Sequence, residues 1–115
     1  MDEQTKMRCA ARAQVLKAMA HASRLIILEE LSGGERCVCE LRDIVDADTS
    51  TVSKHLSILK NAGLIEDDKR GTKVFYRLSV PCILRFFDCV ESVIHQRASK
   101  DMAAITLADS MVNRG

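Results

Sequence analysis

Apolar residues recur at helical spacing along most of this chain, and the period turns strand-like only between residues 64 and 78. Residues 9–20 (CAARAQVLKAMA) are alanine-rich and carry Val15, Leu16 and Met19 on a helical repeat, which predicts a first helix. His21-Ala22-Ser23 interrupts it. Ser23 can cap a second helix from Arg24 to Leu31, in which Leu25, Ile26, Leu28 and Leu31 are expected to form the buried face, and Ser32-Gly33-Gly34 ends it. A short helix is predicted over Cys39–Val45, then a polar turn, Asp46-Ala47-Asp48-Thr49. A further helix follows from Ser50 to Ala62, with Val52, Leu56 and Leu59 facing inward and Asn61-Ala62-Gly63 as its stop.

Leu64-Ile65-Glu66 and Val74-Phe75-Tyr76-Arg77-Leu78 have strand character, and the charged stretch from Asp67 to Lys73 between them predicts a hairpin with a long exposed tip. Ser79-Val80-Pro81 opens the last long helix. Its apolar residues Ile83, Leu84, Phe86, Phe87, Val90, Val93 and Ile94 cover more than one face, so packing against a second subunit is expected. Residues 100–115 are weakly patterned and are set apart as a C-terminal tail to a domain spanning 1–99. The predicted fold class is mostly α with a small β-hairpin wing: a winged helix-turn-helix that dimerises with a second copy through its terminal helices.

At 115 residues, 47% hydrophobic and 29% charged, the chain suits one globular domain. No apolar run reaches the ~18 residues of a membrane span, and the polar start, MDEQTKMRCAARAQ, has no signal-peptide core; a cytoplasmic protein with no membrane partner is expected. Seventeen Lys and Arg against 16 Asp and Glu leave a net charge of +1, so any nucleic-acid partner must be met by a local basic patch. With Val52, Leu56 and Leu59 buried, Ser50, Thr51, Ser53, Lys54 and Ser57 face outward. Small hydroxyl side chains let a helix sit deep in a major groove and bond phosphates or base edges. A serine-rich exposed helix alone would say little, but a cationic hairpin follows it directly, with Lys69, Arg70, Lys73 and Arg77 within nine residues. Together they are what phosphate tracking beside the groove requires.

Five cysteines, at 9, 37, 39, 82 and 89, are expected to stay reduced in a cytoplasm. Within a continuous helix Cys37 and Cys39 would lie about 200° apart and not share an ion. With Cys37 in an extended lead-in and Cys39 in the first turn they converge, and Arg36, Arg42 and the helix N-terminus favour thiolate. Cys-x-Cys by itself reads at least as readily as two small buried hydrophobes. Two residues is also too short a separation for a relaxed disulfide, so a redox switch would need Cys9, Cys82 or Cys89. His21 and His95 stand alone and read as surface or core residues. With no acid pair, phosphate loop or oriented Cys/His pair, neither enzymatic activity nor a permanent cofactor is expected.

ERCVCEL (35–41) followed by DADTSTVSKHLSILKNAGLIEDDKRGTKVFYRL (46–78) resembles the ArsR/SmtB family of metal-sensing repressors. The pattern S-x-H-L-x-x-L-x-x-A-G-L is met by Ser53, His55, Leu56, Leu59, Ala62, Gly63 and Leu64, and the wing pattern G-x-x-x-x-Y-x-L by Gly71, Tyr76 and Leu78. The resemblance spans roughly residues 10–95. It implies a homodimer that binds a palindromic operator in double-stranded DNA and releases it on capturing a metal or metalloid. His55 matches a recognition-helix position where a structural or phosphate-contact role is implied. Cys37, Cys39, Glu40 and Leu41 match the family's thiolate motif, which makes Cys37 and Cys39 ligands for a thiophilic inducer, arsenite or antimonite first and cadmium or lead next. Arsenic-sensing relatives often place a third cysteine where this chain has Arg42. The resemblance to the cadmium/lead branch points to Cys9, reaching the partner subunit, as the third ligand, with Cys82 and Cys89 as rivals. The last helix lacks the Asp/His set of the zinc-sensing branch, and a site of that kind is not expected. The alternative keeps the fold and replaces the ion by oxidation or persulfidation of the thiols.

Overall fold

The computed structural model describes the backbone of residues 1–113 and side chains through residue 109. The helices are α1 (Glu3–Met19), α2 (Ala22–Ser32), α3 (Val38–Val45), α4 (Thr49–Asn61) and α5 (Ile83–Asn113), and the strands β1 (Arg36–Cys37), β2 (Ile65–Arg70) and β3 (Lys73–Leu78). The chain is mostly helical, with one antiparallel sheet of order β1-β3-β2. No helix among the described residues is long and apolar enough to cross a membrane. Two compact units divide at Pro81/Cys82: residues 1–81, and α5 with its lead-in.

In the first unit, Ile27, Leu28 and Leu31 of α2, Leu41 of α3 and Val52, Leu56 and Leu59 of α4 form the core, with Met19, Leu64 and Ile65 at its margin. The inward stripe of α4 is thus the one its spacing predicts. That of α2 is not, because Leu25 and Ile26 stay 40% and 43% exposed and Ile27 takes the core position. Four consecutive apolar residues, 25–28, give α2 no polar face in that turn, so spacing alone does not say which of them turns inward.

The helix ends follow local chemistry. Asp2 caps α1, its carboxylate accepting from Thr5 N–H at 2.7 Å, and this extends the helix six residues upstream of the predicted start. His21, not Ser23, caps α2: its Nδ1 accepts from Ser23 N–H at 3.1 Å. Asp46 ends α3 in the left-handed region at φ 57°. Gly63, at φ 83°, turns the chain from α4 into β2. A Cβ there would meet nothing within 4 Å, so Gly63→Ala carries backbone strain alone. It should cost about 1 kcal/mol, read as a lower urea midpoint at fixed protein concentration.

The hairpin differs from the expected long tip. Strand pairing runs from Ile65↔Leu78 to Arg70↔Lys73, leaving only Gly71 and Thr72 as the turn, with Gly71 at φ 63°. Asp67–Arg70 carry no apolar alternation, but a ribbon in water can hold charge on both faces once its partner strand is anchored. A short third strand joins it, Arg36 pairing with Tyr76 and Cys37 with Phe75. In the second unit, α5 begins at Ile83, after Pro81 and not at Ser79, and runs without a break through residues 100–113, which sequence patterning set apart as a tail.

Candidate nucleic-acid interface and thiol site

Asp48 organises the exposed end of α4. Its Oδ1 accepts from Thr51 N–H at 2.8 Å and from the Ser50 hydroxyl at 3.1 Å. The bonds from Thr51, then that from Ser50, hold its carboxyl below the usual aspartate range. Arg42 of α3 donates to the Thr49 hydroxyl at 3.2 Å, tying the two helices at their junction. Ser50, Thr51, Ser53, Lys54 and Ser57 are all exposed, whereas His55 is half-buried. The Ser50 hydroxyl is already engaged in the cap; the other outward side chains extend from a helix fixed by its buried stripe.

The wing cations divide into two kinds. Arg70 grips Glu35 through both carboxylate oxygens at 2.6 and 2.9 Å, bonds Asp68 through Nε at 2.9 Å, and lies 4.8 Å over the Phe75 ring. Arg77 bonds its cross-strand neighbour Glu66 at 2.7 Å. These two arginines brace the sheet. Lys54, Lys69 and Lys73 have no carboxylate within 4.0 Å among the described residues, and all three are exposed. Sequence composition alone gave no way to separate the braced cations from the free ones.

Cys37 ends β1 in extended backbone, φ −83° and ψ 163°, and Cys39 sits in the first turn of α3. Glu40 holds this entry by accepting from Cys37 N–H at 3.2 Å. The arrangement brings the two sulfurs together with Cα atoms 5.4 Å apart, and they are joined as a disulfide. This differs from the expectation that two residues are too short a separation to bridge: extended backbone at Cys37 followed at once by the first turn of α3 brings the two Cα atoms into the range a disulfide spans. Cys37 is buried at 4% exposure and Cys39 is exposed. Both line a pocket of about 250 Å³ with Val38, Arg42, Thr49, Thr72, Lys73 and Val74. Its walls therefore come from α3, the first residue of α4 and the wing. Two adjacent sulfurs suit a thiophilic ion once reduced, but among the described residues no cluster of three His, Cys, Asp or Glu is assembled within the chain. Cys9 is exposed on α1, and Cys82 and Cys89 are exposed in the second unit.

His21 is not solitary. Its ring lies 4.6 Å from that of His55, tilted by 52°, and Arg24 Nη1 is 3.4 Å from His55 Nδ1. Burial first, then His21, Arg24 and Lys54, hold His55 below the usual imidazole value. His21 and His55 are 34 positions apart, and no sequence spacing signals that they meet.

Residues 21–67 match the family model described as bacterial regulatory protein, arsR family. The chain is 36% identical over 86 residues to the cadmium resistance transcriptional regulatory protein CadC homolog of Staphylococcus aureus, covering 74% of this chain and 69% of that one. It is 42% identical over 69 residues to the arsenical resistance operon repressor of Escherichia coli, covering 57% of each. Among solved structures it is similar to the homodimeric winged helix-turn-helix DNA-binding domain of Mb0332 from Mycobacterium bovis. The TM-score there is 0.74 at 30% identity, over 87% of this chain and 93% of that one.

Proposed function

The chain belongs to the arsR family of bacterial regulatory proteins, and on that premise we propose that it is a homodimeric repressor that releases a palindromic operator when Cys37 and Cys39 capture a thiophilic ion. Arsenite or antimonite is the first candidate inducer and cadmium or lead the next, in line with relatives named for arsenical and cadmium resistance. One observation carries the reading: the pocket holding both sulfurs is walled by Arg42, by Thr49 of α4 and by Thr72 and Lys73 of the wing.

In this reading α4 enters the major groove and presents Thr51, Ser53, Lys54 and Ser57, with Ser50 at its capped end and His55 at its edge. Lys69 and Lys73 follow the phosphates beside it. Arg70 and Arg77, assigned to DNA by their place in the cationic hairpin, act chiefly by tying the wing to Glu35, Asp68 and Glu66. The second copy is recruited through the terminal helices, α5 exposing Phe86, Val90, Val93, Ile94, Met102, Ile105 and Leu107. Two recognition helices then meet half-sites one turn apart, about 34–36 Å.

Reduced Cys37 and Cys39 supply two soft donors, and Cys9 of the partner copy is the proposed third, ahead of Cys82 and Cys89. An ion drawing these groups together changes the first turn of α3 and the end of β1. Cys37 is paired with Phe75 of the wing, and Arg42, one turn beyond, holds Thr49. Both DNA-facing elements thus feel the change. The test is to titrate reduced protein on operator DNA with arsenite, antimonite, cadmium and lead, following thiolate absorption and release together. Release at stoichiometric ion is expected. Failure to bind duplexes from its own promoter, or binding unaltered at saturating ion, overturns the proposal.

A further inference from the structure

Between the start of α2 and the middle of α4 lies a second pocket, about 420 Å³, lined by His21, Arg24, Thr51, Lys54, His55 and Ile58. Its polar lining, two histidines, an arginine, a lysine and a threonine, contains no carboxylate. Arg24 Nε is buried with no hydrogen-bond partner, although buried donors are nearly always paired. Neither Arg24 nor Lys54 has a carboxylate within 4.0 Å among the described residues. His21 Nδ1 accepts the Ser23 N–H, and His55 Nδ1 faces the Arg24 guanidinium, which can only donate. The Nε2–H tautomer fits both contacts and leaves each ring a further donor. A pocket with two imidazoles, a guanidinium, an ammonium and a hydroxyl, and no carboxylate to answer them, suits an oxyanion.

We propose that His21, Arg24, Thr51, Lys54 and His55 form a phosphodiester-binding pocket that grips the DNA backbone beside the groove read by α4, and that filling it draws a proton onto His55. The proposal rests on the DNA-binding reading and adds to it a contact made from α2 and a dependence on pH. Thr51 and Lys54 belong both to this pocket and to the outward face of α4, which places the pocket at the edge of the proposed interface. The charged and titratable groups facing His55 are His21 and Arg24 from α2 and Lys54 from its own helix. With the pocket empty, burial first, then His21, Arg24 and Lys54, disfavour the imidazolium form of His55. A bound phosphate reverses the balance, favouring the imidazolium, so DNA binding takes up a proton and affinity rises as pH falls.

The test compares the parent dimer with Arg24→Gln, His55→Gln and His21→Asn, the last keeping a side chain able to cap α2. Affinity for operator and for scrambled duplex is measured against salt from pH 8 to pH 6, with circular dichroism reporting the fold. The parent should tighten by up to about tenfold per pH unit for each proton taken up. Arg24→Gln should weaken both duplexes alike and lower the salt slope by about 1 per protomer. His55→Gln should flatten the pH profile. Folded Arg24→Gln and His55→Gln variants that keep the parental slope and profile overturn the proposal. A second arm adds inorganic phosphate alone and follows the His21 and His55 ring signals by NMR. If phosphate shifts them while the variants bind DNA as the parent does, the pocket serves a free oxyanion and the DNA contact is refuted. A parent that binds no duplex refutes the DNA-binding reading itself.

Discussion

A Cys37→Ser/Cys39→Ser variant should bind operator DNA as tightly as the parent and lose the response to ions. Coupling between two sites is typically about 1–3 kcal/mol, so a parental loss of affinity of roughly 5- to 150-fold at saturating inducer should collapse to no change. Reciprocity supplies an independent check: operator DNA must weaken ion binding to the parent by the same factor, and in the variant there is no high-affinity ion site left to weaken. Cys37 is buried at 4% exposure, and a serine there places a hydroxyl among apolar neighbours, which carries a stability cost of about 1–3 kcal/mol if unpaired. Cys39→Ser alone avoids this because Cys39 is exposed. It should leave folding and operator affinity intact and remove most of the response. A Cys39→Ser protein that still leaves the operator at parental ion concentrations would place the sensor elsewhere. The same measurement on Cys9→Ser, Cys82→Ser and Cys89→Ser identifies the third donor, since only the true ligand should shift the ion-response midpoint strongly.

What was legible in the sequence was what local chemistry decides. Val52, Leu56 and Leu59 set the inner face of α4, and the polar turn at 46–49 and Gly63 mark its ends, because an amphipathic period, a polar turn and a left-handed stop are each readable within a few residues. Only the structure picks Asp48 from that turn as the cap. The strand-to-helix break at Cys37 was readable as a condition, since only that break lets two sulfurs two positions apart meet. Properties decided by tertiary neighbours were not legible. Which residue among Leu25, Ile26, Ile27 and Leu28 enters the core depends on what packs above α2. Arg70 looks like a DNA contact until Glu35, half a domain away in sequence, is found against it at 2.6 Å. The two residues of β1 are too short to carry a periodicity, yet they join Cys37 to the wing. The contact between His21 and His55 likewise exists only because the start of α2 packs against α4.

The separation of braced from free cations leads to the second large effect. Lys54→Ala/Lys69→Ala/Lys73→Ala removes the exposed, unpaired ammonium groups of the recognition helix and wing, six in a dimer. If each neutralises one phosphate, the log–log salt slope should fall by up to about 5 units, and operator affinity at 0.2 M salt by on the order of a thousandfold. The core stripe of α4 is untouched and all three lysines are exposed, so thermal stability should stay within about 0.5 kcal/mol of the parent. Arg70 gives the complementary arm. Its guanidinium is already taken by Glu35 and Asp68, so Glu35→Gln/Asp68→Asn should free it and steepen the slope by up to about 1 per protomer, while loosening the tie between β2 and the lead-in to β1. Surface ion pairs contribute little to stability, so the affinity gain should be visible without unfolding the wing. An unchanged slope in the lysine variant would mean that this face does not track phosphates, and the DNA-facing assignment of α4 and the hairpin would have to be abandoned together.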